Sequence, residues 1–565
     1  MISGAFRFLR NAIRPGVEVT KVPANILVDW DVPVVVRDGT TLRVNVFRPN
    51  VDAPVPVIMS AHPYGKDKIP AKSRSGRAPA IQSRLLPQPH RVRISAWTSW
   101  EAPDPAFWAT HGYAVVNADL RGGGTSEGIA DLFSDQEARD YYDLIEWAGS
   151  REWASGRVGL DGVSYLAISQ YKVAALRPPH LAAICPWEGL SDLYRDFARP
   201  GGVREDGFSI LWSALTSREA RVRSSIRKQV VERSERDDWY RSVTPDVARI
   251  DVPMLVCGSF SDHCLHSRGS FEVFRRAGSA RKWLYTHRDG KWCAYYGPDA
   301  TAARKRFFDH TLKGLENGLA SEAPVRLAIY EGGPEPAAVT CESAWPPNDL
   351  VERTLRLDAR AGSLLAGSAP ETQASVTFDA RRAIAAFAWT LPADMDVIGP
   401  MALQLFVELR GAEDAFLFAN VRKIRAGRET TFEGSYGFSG DSVSKGWQRL
   451  AHRELDLALS TPLQPVHMHE RVEPLRTGEI VLVHVALLPH ATRFHRGDSL
   501  LVEVRGTWPV PRDPFRGQFP AGYERGPKAV CTLHTGGSFD ARLLIGTRDI
   551  VNGSSTGRQP MEERG

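Results

Sequence analysis

The chain lacks any paired-cysteine spacing: Cys185, Cys257, Cys264, Cys293, Cys341 and Cys531 form no CxxC and no compact framework. That excludes a cysteine zinc site and a disulfide scaffold, and it fits a reducing compartment. Long blocks of one charge are missing too. With 71 basic and 66 acidic residues the net charge is +5, a mixed surface that calls for no nucleic-acid partner. No stretch approaches the roughly 20 consecutive apolar residues of a membrane span. The opening "MISGAFRFLRNAIRPG" lacks the apolar core of a secretory signal and reads as a short amphipathic helix. A soluble, cytoplasmic protein with no membrane partner is the expectation. "RGGGTSEG", residues 121–128, lacks both the Lys-Ser/Thr ending of a phosphate loop and dinucleotide glycine spacing. It reads as a structural turn, and no cofactor is expected.

What is present is apolar material in quantity. A chain of 565 residues with 43% hydrophobic content can fill at least two cores. From about residue 30 to 310, short β-branched runs alternate with helical patterns, the form of an α/β sheet covered by helices. The expected strands are "TLRVNVFRP", "VPVIMSAHP", "YAVVNADLRG", "RVGLDG", "LAAICPWEG", "PMLVCGSFSD" and "KWLYTHRDG", most of them apolar throughout. Two intervals are too long for crossovers and read as insertions. The first, 66–105, is rich in Pro, Arg and Ser; the second, 190–248, carries apolar residues at helical spacing and reads as a helical cap. Past a Pro-rich linker, "ALQLFVEL", "EIVLVHVALL" and "SLLVEVRGTW" alternate as half-buried strands do. The expected division is 1–189 and 249–335 as the two parts of the α/β core, 190–248 as its cap, and 350–550 as an all-β sandwich domain.

"GLDGVSYLAIS", residues 159–169, places a serine between an apolar run and a helical pattern. Such a serine is often only a helix N-cap. Strand, tight turn, serine, helix is also the context of a nucleophile elbow, in which the helix N-terminus and the amide after the serine face a developing oxyanion. Read this way Ser164 is the nucleophile and the Tyr165 N–H one oxyanion donor. The pattern departs from GxSxG, since Leu166 stands two positions after the serine.

A serine hydroxyl needs a base, and the base an orienting carboxylate, in the order acid then histidine at the ends of later strands. "PMLVCGSFSD" ends at Asp262 and "KWLYTH" at His287. Strand ends of an open parallel sheet meet at one edge, so Ser164, Asp262 and His287 are expected to converge there. His263 and His266 look like half a metal site, yet no further ligand has compatible spacing, and they are set aside with no metal expected. His467 and His469 read as surface or packing residues on one strand face. Trp97, Trp100, Trp108 and Trp187 are candidates for an acyl pocket, although each suits a core equally well.

"GVSY", "HPYGK", "VVRDGTTLRVNVFRP", "APDPAFWATHGYAVVNADLRGGGTSEG" and "RFFDHTLKG" together resemble the cocaine esterase and X-Pro dipeptidyl-peptidase (CocE/NonD-like) family of serine hydrolases. The resemblance runs from about residue 30 to 548, where "GWQRLAHRELD" and "PLRTGEIVLVHVALLPHATRFHRGD" are similar to the family's C-terminal domain. It implies an α/β-hydrolase domain with an inserted helical cap, followed by a jelly-roll-like sandwich. It also assigns Ser164, Asp262 and His287 as the triad and the Tyr64 hydroxyl as a second oxyanion donor. Glu188 and Asp192 are then candidates for a substrate ammonium, with a cap or salt bridge as the plainer role. Ala167 replaces the family's glycine, and "YTHRDGKWCAYYG" differs from its commoner histidine segment. The expected substrate is a small ester or amide; an acylase, an X-Pro dipeptidyl aminopeptidase and a non-catalytic binding protein are alternatives, and homo-oligomerisation is left open.

Overall fold

Unbroken apolar runs make strands that need cover on both faces, and the sheet formed by the first half of the chain has it. The structure, a computed structural model, describes Leu9 and residues 16–74, 88–510, 517, 518 and 520–550. The amphipathic helix expected at the N-terminus lies, apart from Leu9, outside the described residues, as does part of the 66–105 insertion.

The sheet contains β1 (Ile26–Val35), β2 (Thr41–Pro49), β3 (Val55–His62), β4 (Ala114–Asp119), β5 (Ala154–Val163), β6 (Leu181–Trp187), β7 (Met254–Ser259), β8 (Lys282–His287), β9 (Val325–Tyr330) and β10 (Pro336–Glu342). Its order is β1-β2-β4-β3-β5-β6-β7-β8-β9-β10. Pairing is parallel from β4 to β9 and antiparallel at both edges. Parallel neighbours send their carboxyl ends to one rim, where ligands of such sheets bind.

Alternate residues of each strand enter two different cores. Met59, Val116, Leu160 and Val256 pack with α1 (Asp135–Gly149) and α2 (Tyr165–Ala174), whereas Ile58, Val115, Ala183 and Cys257 pack with Trp108, Phe307 and Phe308 on the other face. The stretch 190–248 is helical, as its spacing predicts: a π-helical turn (Leu193–Ala198) precedes α3 (Phe208–Glu219), α4 (Ile226–Glu232) and α5 (Asp238–Val243). Three further helices follow: α6 (Ser267–Arg276), α7 (Lys291–Tyr295) and α8 (Pro298–Lys313). In the 66–105 insertion, Val92–Ser95 pairs in parallel with Val17–Thr20.

The C-terminal half is β-rich. Its long strand β11 (Met395–Arg410) pairs antiparallel with β14 (Ile480–Phe494), while β12 (Phe416–Arg425) pairs antiparallel with β13 (Ser444–Arg449) and β15 (Ser499–Arg505). Leu403, Leu405, Val407 and Leu409 are all fully buried, the shared face that their alternation predicts. His467 and His469, expected on a strand face, lie outside the strands and are buried. Among the described residues no helix is long and apolar enough to cross a membrane.

Candidate functional site

β5 ends in Gly162 and Val163, and the chain reverses into α2 through Ser164. Gly162 is required by close approach: a Cβ there would stand 2.5 Å from Leu166 Cβ. Ser164 adopts φ 60°, ψ −116°, a conformation that costs a non-glycine residue on the order of 1–3 kcal/mol and is kept where surrounding structure enforces it. Its side chain caps no helix N–H. Instead the Ser164 hydroxyl donates to His266 Nε2 at 3.2 Å. Tyr165 opens α2, so its N–H has no acceptor within the helix.

His266 Nδ1 donates to Asp262 Oδ2 at 2.6 Å, and both side chains are fully buried. Acid and imidazole therefore come from one turn between β7 and α6, closed by His266 and Ser267 amides on the Asp262 carbonyl. Burial lowers the His266 pKa below the ordinary imidazole value, Lys291 lowers it further and Asp262 opposes both. Asp262 is held far below the carboxylate range: burial would raise it, but Lys291 and His266 outweigh that.

His287, expected as the base, is not at the serine. It ends β8, donates from Nε2 to Glu188 Oε1 at 3.1 Å and accepts the Asp289 N–H at Nδ1, with its ring stacked on Trp187. Both ring nitrogens are thus engaged, neither of them with Ser164. His266, set aside from the sequence, occupies its expected place. The signal was present as Asp262-x-x-x-His266, a spacing that one helical turn closes.

Tyr64 follows β3, and Trp212 Nε1 of α3 donates to its hydroxyl at 2.9 Å. The phenol oxygen being an acceptor there, its own proton is free to point elsewhere. Burial pushes the phenol pKa up, so Tyr64 remains a proton donor. Trp212 also stacks on Tyr165 and Phe133, which makes an aromatic wall joining α3 to α2.

Of the tryptophans proposed for a pocket, Trp108 and Trp187 are fully buried in one core, Trp187 against Tyr285 and Tyr295; Trp97 is half-buried against the same core beside Phe47, and Trp100 is half-buried against Trp292 and Tyr296. Asp192 accepts the Tyr194 and Arg195 amides and pairs with Arg195 and Arg236, the plainer of its two roles. Glu188 is fully buried beside Asp262 and His266, and Glu101, missed in the sequence, accepts Trp292 Nε1 at 3.0 Å. Burial raises the Glu101 pKa to about 7. Glu188, Asp262 and His266 each bring a potential metal-ligand atom within 4.8 Å of one another. The Lys291 ammonium, 2.8 Å from Asp262 Oδ2, already supplies positive charge there.

Comparison with known proteins agrees with this architecture. The family model for X-Pro dipeptidyl-peptidase (S15 family) matches residues 38–289, and that for the X-Pro dipeptidyl-peptidase C-terminal non-catalytic domain matches 317–543. Cocaine esterase from Rhodococcus sp. (strain MB1 Bresler) is 27% identical over 54% of this chain and 59% of its own length. A putative Xaa-Pro dipeptidyl-peptidase from Bacillus anthracis is 25% identical over 54% of this chain and 56% of its own. The chain thus spans under two thirds of the length of these curated relatives. A solved CocE/NonD family hydrolase from Staphylococcus aureus is 34% identical, with a TM-score of 0.87, over 93% of this chain and 94% of that one. With that near full-length match and a serine elbow at the rim of the matched sheet, the chain belongs to the CocE/NonD family of hydrolases.

Proposed function

We propose that the protein hydrolyses a carboxylic ester or amide of a small molecule through an acyl-enzyme on Ser164. His266 Nε2 takes the hydroxyl proton as Ser164 attacks the carbonyl, while Nδ1–H stays on Asp262, which fixes the tautomer and stabilises the imidazolium. The Tyr165 N–H and the Tyr64 hydroxyl donate to the tetrahedral oxyanion. His266 then gives its proton to the leaving group, and the same base activates the water that releases the acid. One observation carries this reading: the continuous path from Ser164 Oγ through His266 to Asp262, at 3.2 and 2.6 Å. The catalytic unit is the sheet with its cap at 190–248, and the β-rich domain, which we take as jelly-roll-like, buttresses it.

Esters of apolar acyl groups suit the wall of Phe133, Tyr165 and Trp212. An X-Pro dipeptidyl aminopeptidase or acylase is the second reading. It rests on Glu188, whose Oε2 has no hydrogen-bond partner among the described residues and could receive an ammonium. A fluorophosphonate probe tests the common chemistry: labelling that Ser164→Ala abolishes supports it, and an unlabelled folded protein points to a non-catalytic binding role. A panel of aryl esters, acyl amides and X-Pro amides then divides the readings, with turnover expected on the esters.

A further inference from the structure

A lysine in a hydrolase core needs a reason, since an unpaired ammonium there is costly. Lys291, the first residue of α7, is 1% exposed. Its Nζ lies 2.8 Å from Asp262 Oδ2, the same oxygen that accepts His266 Nδ1–H. It also lies 3.2 Å from His266 Nδ1, and with the Nδ1 proton directed at Asp262 that approach sets positive charge against a ring edge already protonated. From these contacts we infer that Lys291 is a positioning residue for the acid–base pair: its ammonium clamps the Asp262 carboxylate and opposes positive charge on His266. The inference rests on the Ser164–His266–Asp262 reading.

The β-rich domain completes the clamp. The Tyr436 ring lies 4.9 Å beneath the ammonium, the Lys291 N–H donates to the Ser435 carbonyl, and the Ser435 N–H donates to Ser261, next to Asp262. A domain whose family description is non-catalytic thereby fixes both ends of the contact. A two-point hold on Asp262 Oδ2, one from the imidazole and one from the ammonium, leaves the carboxylate little freedom to turn away. It also shares that oxygen's charge between two cations once the imidazole is protonated, so the imidazolium gains less from Asp262 than it would from an unshared partner.

The charged and titratable groups around His266 come from five places, Tyr436 of the β-rich domain among them. Asp262 and Cys264 share its turn, Cys264 Sγ being 3.8 Å from Asp262 Oδ1. Glu188 follows β6 and holds His287 on Oε1; Glu101 accepts Trp292 Nε1, the residue after Lys291; Lys291 itself opens α7. Burial would depress the Lys291 pKa, but Asp262, Glu188 and Glu101 raise it, so the ammonium persists through the working range. It is the cation that opposes protonation of the base, while Asp262 and Glu188 favour it.

The experiment is the pH profile of kcat/KM on an aryl ester for wild type, Lys291→Met, Lys291→Arg and His266→Ala. Lys291→Met is expected to move the acid limb up by about one pH unit and to lower kcat, with KM little changed. Lys291→Arg keeps the charge and is expected to keep the limb at the wild-type pH even where turnover falls. An unmoved limb in folded Lys291→Met, with His266→Ala inactive, overturns the inference alone; an active His266→Ala overturns the triad reading beneath it. Should Lys291→Met fail to fold, Lys291→Arg decides: a limb at the wild-type position supports the inference, and one displaced upward overturns it.

Discussion

His266 follows Asp262 by four residues, and its Nδ1 lies 2.6 Å from the Asp262 carboxylate in a turn with both side chains fully buried. Asp262 and His266 thus come from one turn, and Ser164 reaches them from the junction of β5 and α2. The separation of roles from His287 is equally sharp, because that ring spends both nitrogens on Glu188 and the Asp289 amide.

Replacing each histidine by alanine separates the two. His266→Ala is expected to lower kcat by about 10⁴-fold or more, the loss typical of removing a triad base. His287→Ala leaves Ser164, His266 and Asp262 in contact and is expected to cost about tenfold or less, through the freed Glu188 carboxylate. Steady-state kinetics on an aryl ester checks both, and the reverse order of effects would return the role of base to His287.

The acid limb of the wild-type profile follows from the environment of that imidazole. The base must be neutral to accept the serine proton, and burial first, then Lys291, holds the His266 pKa below its usual 6.5. Activity is therefore expected to persist below the ordinary imidazole range as pH falls and to be lost only at lower pH. A kcat/KM profile whose acid limb lies above that range would contradict this.

The two proposed oxyanion donors come from different elements: Tyr64 follows β3 and Tyr165 opens α2. Tyr64→Phe removes the phenolic donor and is expected to reduce kcat about a hundredfold, as loss of one such donor does. Trp212→Phe keeps the donor but removes the indole hydrogen bond that orients it, at 2.9 Å, and is expected to reduce kcat about five- to tenfold. Equal effects of the two changes would argue against Tyr64 as a direct donor.

Local patterns revealed the sheet. "TLRVNVFRP" is the strand Thr41–Pro49, and the strand, turn, serine, helix succession around Ser164 is the observed elbow. Its departure from GxSxG is tolerated because the close approach falls at Gly162, whose hydrogen faces Leu166. The base was missed although it is local: the neighbour of Asp262 is His266 in the same turn, amid histidines that read as a metal fragment, and not the histidine at the end of the next strand. Other contacts are long-range. The Trp212 to Tyr64 bond spans 148 residues, and no local period encodes it. Trp97 and Trp187 could not be told from pocket residues, since the same aromatic side chain suits a core and a pocket.

A buried ion pair behind the elbow gives a prediction about stability. Arg304 of α8 donates to Asp161 Oδ2 at 2.7 Å and to the Tyr295 carbonyl at 2.8 Å, and it lies over the Tyr295 ring. Asp161 is fully buried on β5, three residues before Ser164, and burial raises its pKa despite the guanidinium. Arg304→Met leaves that carboxylate uncompensated, which is expected to cost about 3–5 kcal/mol in denaturant unfolding at neutral pH. The sign of its pH dependence is fixed. Without Arg304 the folded-state pKa of Asp161 rises further above the unfolded value, so the deficit is full above it and shrinks as pH falls toward the carboxylate's unfolded range. Asp161→Leu combined with Arg304→Met removes both charges and is expected to recover most of the loss. A double variant as unstable as Arg304→Met alone would show that the arginine acts by packing on Tyr295, not by pairing with Asp161.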